Sequence, residues 1–350
     1  MKILLAGNWI SEIHEEQLFR GLVTHPDVSV YKFTWSFQNI RKFKICNFLL
    51  KIEDKILIGP ATFYLNLRLL FKIYSNKPNY VFLYRPIQIL PFFYYSNSFI
   101  NKKSKIILYN NDDTFSKKDS NIFRHILKSL KYVDLALAYR PQNHKMYKEL
   151  KINSELFLPW YDKDLFKAYK KTKFKYDVVF VGHYENDIRL ECLKHLHIKG
   201  LKIGLFGPIE KVHSGWKSTL INTDLEYLLN DLRYLNLEEY YNVLRQSKVA
   251  LCFFSKRNND VYTRRSFEIP ASGTIMLSEY SDEISKIFLP DLDSFYFKDL
   301  ESFKNQVDII FSNEFDLNKI ENNIINKLKQ IKMSNYDRAN QLIEYLKKIN

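Results

Sequence analysis

Glycine is scarce, with nine in 350 residues. Few positions are therefore free to let another backbone or a ligand come close, and each glycine carries more information than usual. Cysteine is scarcer. Cys46, Cys192 and Cys252 are odd in number and far apart, which excludes a disulfide scaffold and a zinc ribbon and suits a reducing, cytoplasmic compartment. No run of about eighteen uncharged apolar residues occurs, so no spanning helix is expected. The nearest, Ile87–Ile100, is interrupted by Pro91 and by Ser96-Asn97-Ser98. The apolar opening, Met1–Gly7, is too short for the central region of a signal peptide.

What is present is core material. Aromatic residues make up 16% and apolar residues 46%, against 26% charged. That composition is globular, and the length fits two domains. Short β-rich apolar runs alternate with helical patterns. Lys2–Ala6, Val28–Phe33, Asn79–Tyr84, Lys105–Tyr109, Asp134–Tyr139 and Ser154–Leu158 read as strands. The polar, basic, aperiodic stretch Asp162–Lys175 reads as a linker. A second series follows: strands at Asp177–Val181, Leu201–Phe206, Val249–Phe254, Thr274–Leu277 and Ser294–Phe297, one long helical region over Asp224–Ser247, and a short helix over Arg265–Ala271. Alternation of this kind implies α/β architecture with parallel sheets covered by helices. The expected division is a Rossmann-like domain over 1–161, a second over 176–333, and a terminal helix over 334–350 that can cross back to the first. In such folds ligands bind beyond the carboxyl ends of the strands, here expected in a cleft between the two domains.

The net charge of +14 is unevenly spread. Residues 1–170 hold 27 Lys and Arg against 14 Asp and Glu, and residues 171–350 hold 26 against 25. A basic first half fits an anionic membrane surface, a phosphate-bearing acceptor, a plain solvated face or, less well, nucleic acid. Between Phe63 and Tyr74, Phe63, Tyr64, Leu67, Leu70, Phe71 and Tyr74 recur at helical spacing, with Arg68 and Lys72 on another face. Such a helix either lies in a headgroup layer or packs on its own domain.

Glycines end two strands of the second half, at Gly182-His183 and at Gly207-Pro208. Both suggest close approach of backbone to a ligand. The densest cluster is Thr263-Arg264-Arg265-Ser266-Phe267-Glu268-Ile269-Pro270-Ala271-Ser272-Gly273, a loop entering a short helix that stops at Gly273. Arginine offers forked donors to a diphosphate, and a carboxylate can accept both ribose hydroxyls. The alternative is an Arg–Glu salt bridge and a helix stop. Asp260 lies eight residues before Glu268. Asp112 and Asp113, after the strand ending at Tyr109, are candidates for an acceptor-side base or for capping the next helix. A metal is not expected. Asp291-Leu292-Asp293 reads as a loop, and His195 and His197, two apart on one helix, do not share a face.

These runs over about residues 175–310 resemble the C-terminal half of the CgeB-like (spore maturation protein-like) glycosyltransferases, of the two-domain GT-B, group 1 kind. The first half is similar mainly in architecture, with Asn111-Asp112-Asp113 after a strand. The resemblance implies a nucleotide-sugar donor and a glycan, lipid-linked or protein acceptor, with transfer in surface-glycan synthesis at the cytoplasmic face of a membrane. It implies that Glu268 contacts ribose, that Asp260 stands near the donor sugar (aspartate where the family has glutamate), and that Arg265 neutralises the diphosphate. It implies that Gly7, Gly182, His183, Gly207, Arg264 and Gly273 line the nucleotide-sugar site, with His183 also a candidate for catalysis. Departure of a diphosphate without a metal needs cationic side chains, and Lys256 and Arg257 are close in sequence. Competing readings are an inactive sugar-nucleotide-binding scaffold, a sugar-nucleotide epimerase and a basic nucleic-acid-binding protein.

Overall fold

The computed structural model describes all residues except 11, 38–39, 166–173, 209–214, 313–315 and 350. The chain forms two compact units, Met1–Leu158 with Asn335–Asn350, and Pro159–Ser334.

The first unit holds six strands: β1 Lys2–Gly7, β2 Ser29–Thr34, β3 Tyr80–Tyr84, β4 Lys105–Asn110, β5 Leu135–Ala138 and β6 Ser154–Leu156. All pair in parallel, in the order β2-β1-β3-β4-β5-β6. The inner strands are apolar throughout: Ile3, Leu4, Leu5, Val81, Phe82 and Leu83 are wholly buried, as strands covered on both faces require. Six helices join them: α1 Glu15–Val23, α2 Lys44–Ile56, α3 Pro60–Asn76, α4 Pro91–Ile100, α5 Ser120–Ser129 and α6 Pro141–Glu149. The C-terminal helix Asn335–Lys348 packs on α1, where a Cβ at Gly21 would stand 2.6 Å from the Asn335 carbonyl oxygen. Its Leu346 carbonyl accepts the Tyr80 hydroxyl at 2.9 Å.

The second unit holds β7 Tyr176–Val181, β8 Ile203–Phe206, β9 Ser247–Cys252, β10 Ile275–Glu279 and β11 Phe295–Phe297. These too are parallel, in the order β11-β10-β9-β7-β8. Its helices are α7 Arg189–Ile198, α8 Trp216–Leu220, α9 Leu237–Arg245, α10 Arg265–Ala271, α11 Asp282–Ile287, α12 Leu300–Ile310 and α13 Leu317–Gln330. The long helix expected over 224–247 is instead a 3-10 turn, Glu226–Asn230, and the separate α9. Asn236 explains the break: its side chain accepts the Glu239 amide while Glu239 accepts the Asn236 amide, a closed capping box that starts a new helix. Part of the expected linker, residues 166–173, lies outside the described residues. Its first residue is not linker-like, because Asp162 is wholly buried and its amide donates to the Tyr241 hydroxyl at 3.1 Å.

Both sheets are doubly wound. Strand order reverses between β1 and β3 in the first and between β7 and β9 in the second, and a crevice opens at the carboxyl edge at such a point.

Candidate functional site

Two arginines, Arg265 and Arg189, reach the switch point of the second sheet. Arg265 opens α10, and its guanidinium reaches back over the strand ends. One Nη donates to the Val181 carbonyl at the end of β7 at 3.4 Å, the other to the Phe253 carbonyl just past β9 at 3.3 Å. The Phe180 ring lies 5.9 Å away. No carboxylate pairs with this guanidinium among the described residues, and Nε has no hydrogen-bond partner. A half-buried cation held by two weak carbonyl bonds keeps donor capacity for an anion.

Glycine shapes the surroundings. A Cβ on Gly182 would meet the Phe180 ring at 2.7 Å and the Arg265 Nη1 at 3.4 Å. One on Gly207 would stand 2.3 Å from the Gly182 carbonyl oxygen. That oxygen also accepts the Trp216 indole at 2.9 Å. The close approach at Gly207 is thus backbone to backbone. Gly273 is different. It has φ +73° and ends α10 on the way into β10, which puts it at the amino edge of the sheet, opposite Arg265. It is a helix stop, and the expected place in the nucleotide-sugar site is corrected accordingly.

Arg264 pairs with Glu268 at 3.0 Å, one helical turn on. Glu268 is wholly buried. Burial pushes its carboxyl above the ordinary value, while the Arg264 and Arg265 charges pull it down. The carboxylate therefore faces the interior, with Arg264 between it and solvent. It is the ion-pair partner of Arg264. Asp260 belongs to the loop between β9 and α10, which its amide closes by donating to the Ser255 carbonyl at 3.1 Å.

His183 follows Gly182, half-exposed, with Nε2 3.0 Å from the Glu185 carboxylate. Glu185 and the residues around it escaped the sequence reading. Arg189, 1% exposed, donates to the carbonyls of His183 and Phe254, each at 3.1 Å, and pairs with Glu185 at 3.5 Å and Asp187 at 3.3 Å. Phe180 and Phe253 flank its guanidinium. Burial raises the Glu185 carboxyl, but the His183 bond, the Arg189 charge and the Ser255 hydroxyl outweigh it and bring it down to about 2. Glu279, at the end of β10, accepts the Phe254 amide and pairs with Lys256 at 2.7 Å. These groups fix the loop after β9 against the end of β7. The available signal was Glu185 four residues before Arg189, the spacing of a helical ion pair.

The first unit has its own polar edge. The space beside Gly7, expected to admit a donor phosphate, is filled by Glu15. Its carboxylate accepts the Asn8 amide at 2.7 Å, and a Cβ on Gly7 would stand 2.3 Å from it. Glu15 thus occupies the space that the expectation left for a phosphate. Burial raises the Glu15 carboxyl, and the amides of Glu15, Asn8 and Trp9 offset part of the effect. Asp113 is also corrected as a base. It is 4% exposed and accepts the Asn143 amide nitrogen at 2.7 Å and the Phe115 amide at 3.1 Å. Its partner in sequence, Asp112, is more accessible and pairs with Arg85 at 2.5 Å. Asp291 and Asp293 lie in a loop, where the Asp293 carboxylate accepts the Leu289 amide at 2.9 Å. Among the described residues, no three His, Cys, Asp or Glu side chains group as metal ligands would.

Residues 189–344 match the model of a family described as glycosyl transferase-like. No curated protein matches the chain in sequence. Solved structures resemble it along its whole length. Anabaena HepE in complex with UDP-glucose has a TM-score of 0.68 at 11% identity, covering 99% of this chain and 100% of its own. Sucrose-phosphate synthase from Thermosynechococcus elongatus has 0.67 at 11%, covering 100% and 99%. An E. coli trehalose-6-phosphate structure bound with UDP-2-fluoro glucose has 0.65 at 12%, covering 100% of each. At these identities the likeness is one of fold.

Proposed function

We propose that this chain, a glycosyltransferase of GT-B architecture, takes its sugar from a uridine-diphosphate donor held at the carboxyl edge of the second sheet, and does so without a metal. The observation that carries the reading is the Arg265 guanidinium, unpaired with any carboxylate among the described residues and set at the β7–β9 switch point beside Gly182. A leaving diphosphate gathers negative charge as the bond from the sugar's anomeric carbon to its oxygen breaks. Arg265 meets that charge, with Arg264 and Lys256 on the same edge. Glu268 acts by holding Arg264 in place. Asp260 and His183, the latter turned by Glu185, face the donor sugar. HepE supplies the analogy for the nucleotide, since it is a protein of like fold in complex with UDP-glucose.

The new bond forms between the anomeric carbon and an acceptor oxygen, whose proton passes to the leaving phosphate. Retention of configuration is the stereochemistry we assign, because the acceptor-side carboxylates are engaged: Asp113 is buried and Asp112 is paired with Arg85. Asp112 then positions the acceptor. The acceptor we assign is an anionic or lipid-linked glycan of the cell surface, in keeping with the basic first half of the sequence. Within the glycosyltransferases, the run Arg265–Gly273 and the Gly207-Pro208 corner speak for a CgeB-like member.

Ligand-observed NMR with UDP, GDP, CMP and TDP and their sugar conjugates, in the presence of EDTA, tests the donor site. Selective binding of the uridine compounds, weakened by Arg265→Ala, is the expected result. Binding that needs a divalent ion, or that ignores Arg265, rejects it. The anomeric proton coupling of the product reports retention.

A further inference from the structure

The first unit turns an apolar face outward. On α2, Ile45, Phe48, Leu49, Ile52 and Ile56 follow the i, i+3, i+4, i+7, i+11 spacing of a single stripe. Such a stripe normally faces a core. Here Ile45 is 78% and Phe48 64% exposed, and the one buried residue of the helix, Leu50, points the other way. Neighbouring α3 has two apolar faces. Leu65, Leu69, Leu70 and Ile73 enter the core, while Phe63, Tyr64, Leu67, Phe71 and Tyr74 stay exposed. The Phe63–Tyr74 pattern thus serves both readings of the sequence at once: one side packs on its own domain, and the other stays exposed apart from the Phe63 ring, which lies 5.2 Å from that of Phe92.

Charge on the same stretch is one-sided. Residues 41–104 contain eleven Lys and Arg and two acids, Glu53 and Asp54. Both acids are engaged. Asp54 pairs with Arg41 at 2.7 Å, and Glu53 turns inward to accept the Ala61 and Thr62 amides. Lys44, Lys51 and Lys55 lie together along one flank of the α2 stripe, with no carboxylate partner among the described residues.

We propose that the α2–α3 face docks on a bilayer containing anionic phospholipid. The exposed aliphatic and aromatic side chains enter the boundary between headgroups and acyl chains, and the flanking lysines meet lipid phosphates. Charge decides the occupant. A second copy of the chain would bring two strongly cationic faces together, whereas an anionic bilayer supplies both the apolar layer and the countercharge. The mode is to lie on the membrane. The two helices meet at 79°, and no single helix among the described residues is long and apolar enough to cross. This inference uses first-unit residues alone and stands independently of the donor site.

Flotation of the full chain with phosphatidylcholine vesicles, with and without phosphatidylglycerol, provides the test. The chain is expected to float with the anionic vesicles, and less so as salt rises. The double substitution Ile45→Glu, Phe48→Glu should weaken partitioning by about tenfold or more, since it removes apolar insertion and adds repulsion. Substituting Lys44, Lys51 and Lys55 by Glu should also weaken it by about tenfold or more. UDP binding should not change in any of these variants, which separates failure of docking from failure of the donor site. Phe71→Ser on α3 carries the same expectation if the α2 variant loses its cooperative melting. Absence of the chain from anionic vesicles overturns the proposal. So does undiminished flotation of the apolar variants, or a self-association that those variants abolish and vesicles do not displace.

Discussion

The carbonyl oxygen of Gly182 occupies the place a side chain would need at Gly207: a Cβ there would stand 2.3 Å away. The ends of β7 and β8 are therefore in direct backbone contact, and the Trp216 indole bonds the same oxygen. Gly207→Ala must push the two strand ends apart. The expected cost is roughly 1–3 kcal/mol, the range for forced overpacking. Urea unfolding followed by Trp fluorescence checks it, because Trp216 is wholly buried against this contact. A variant as stable as the parent would show that the strand ends separate freely.

Arg265 should separate binding from folding. Its carbonyl bonds are long, at 3.4 and 3.3 Å, so their loss costs little stability. In the proposed donor site its charge meets the diphosphate. Arg265→Ala is expected to raise the Kd for UDP by about 10–100-fold, or roughly 1.4–2.7 kcal/mol. Arg265→Lys keeps the charge but loses the fork, and should fall between. Calorimetric titration beside a melting curve gives both quantities. A large fall in melting temperature with unchanged Kd would assign the residue to packing.

Glu185 gives a dependence on pH. Its folded carboxyl is held at about 2, below the ordinary value of 4.5. A depressed carboxyl contributes stability that is present above the unfolded value and is lost as pH falls toward the folded one. The full shift corresponds to about 3 kcal/mol, and partial exposure of the group reduces this to roughly 1–2 kcal/mol. Glu185→Gln should thus be less stable than the parent at pH 7, with the difference shrinking between about pH 4.5 and 2. Denaturant curves at three pH values would reveal it. A gap that does not change with pH would mean that Glu185 acts by shape.

The strands were legible because parallel strands buried on both faces leave near-continuous apolar runs, as in Lys2–Ala6 and Asp177–Val181. The Arg264, Arg265 and Glu268 cluster was legible because its members are neighbours in sequence. Glu185, Arg189 and Glu279 were not. They come from the region after β7 and the end of β10, and only the sheet order brings them to the loop after β9. Glycine positions could be read, and so could the helix stop at Gly273, but not the reasons for Gly207 and Gly7. Gly207 answers to the Gly182 carbonyl, Gly7 to Glu15, and Gly273 to a left-handed turn. The stripe of α2 has helical spacing in the sequence, but a pattern alone does not say which side is core, and here the stripe faces outward.

Glu268 and Arg264 form a pair of which one member has no exposure. Removing the acid leaves the arginine without its brace and a void beneath it. Glu268→Ala is expected to lose roughly 1–3 kcal/mol of stability as well as donor affinity. Glu268→Gln fills the void and leaves only the charge change. Measuring unfolding and UDP binding in both variants separates the two roles. Full affinity in Glu268→Gln would show that the brace is steric.

Asp112 and Asp113 are adjacent and should behave oppositely. Asp113 is buried, and its carboxylate satisfies the Asn143 side chain and the Phe115 amide. Asp113→Ala leaves both donors unmet, at an expected cost of about 1–3 kcal/mol. Any fall in transfer should then follow the fraction unfolded. Asp112 makes a partly exposed pair with Arg85, of the kind worth about 0.2–1 kcal/mol, so Asp112→Ala should melt near the parent. If Asp112 positions the acceptor, that variant raises the acceptor KM while the Kd for UDP stays fixed. Steady-state transfer with the acceptor varied, set beside UDP titration, distinguishes the two aspartates. Unchanged kinetics in Asp112→Ala would remove it from the acceptor site and leave the Arg85 pair as a purely structural contact at the carboxyl edge of the first sheet.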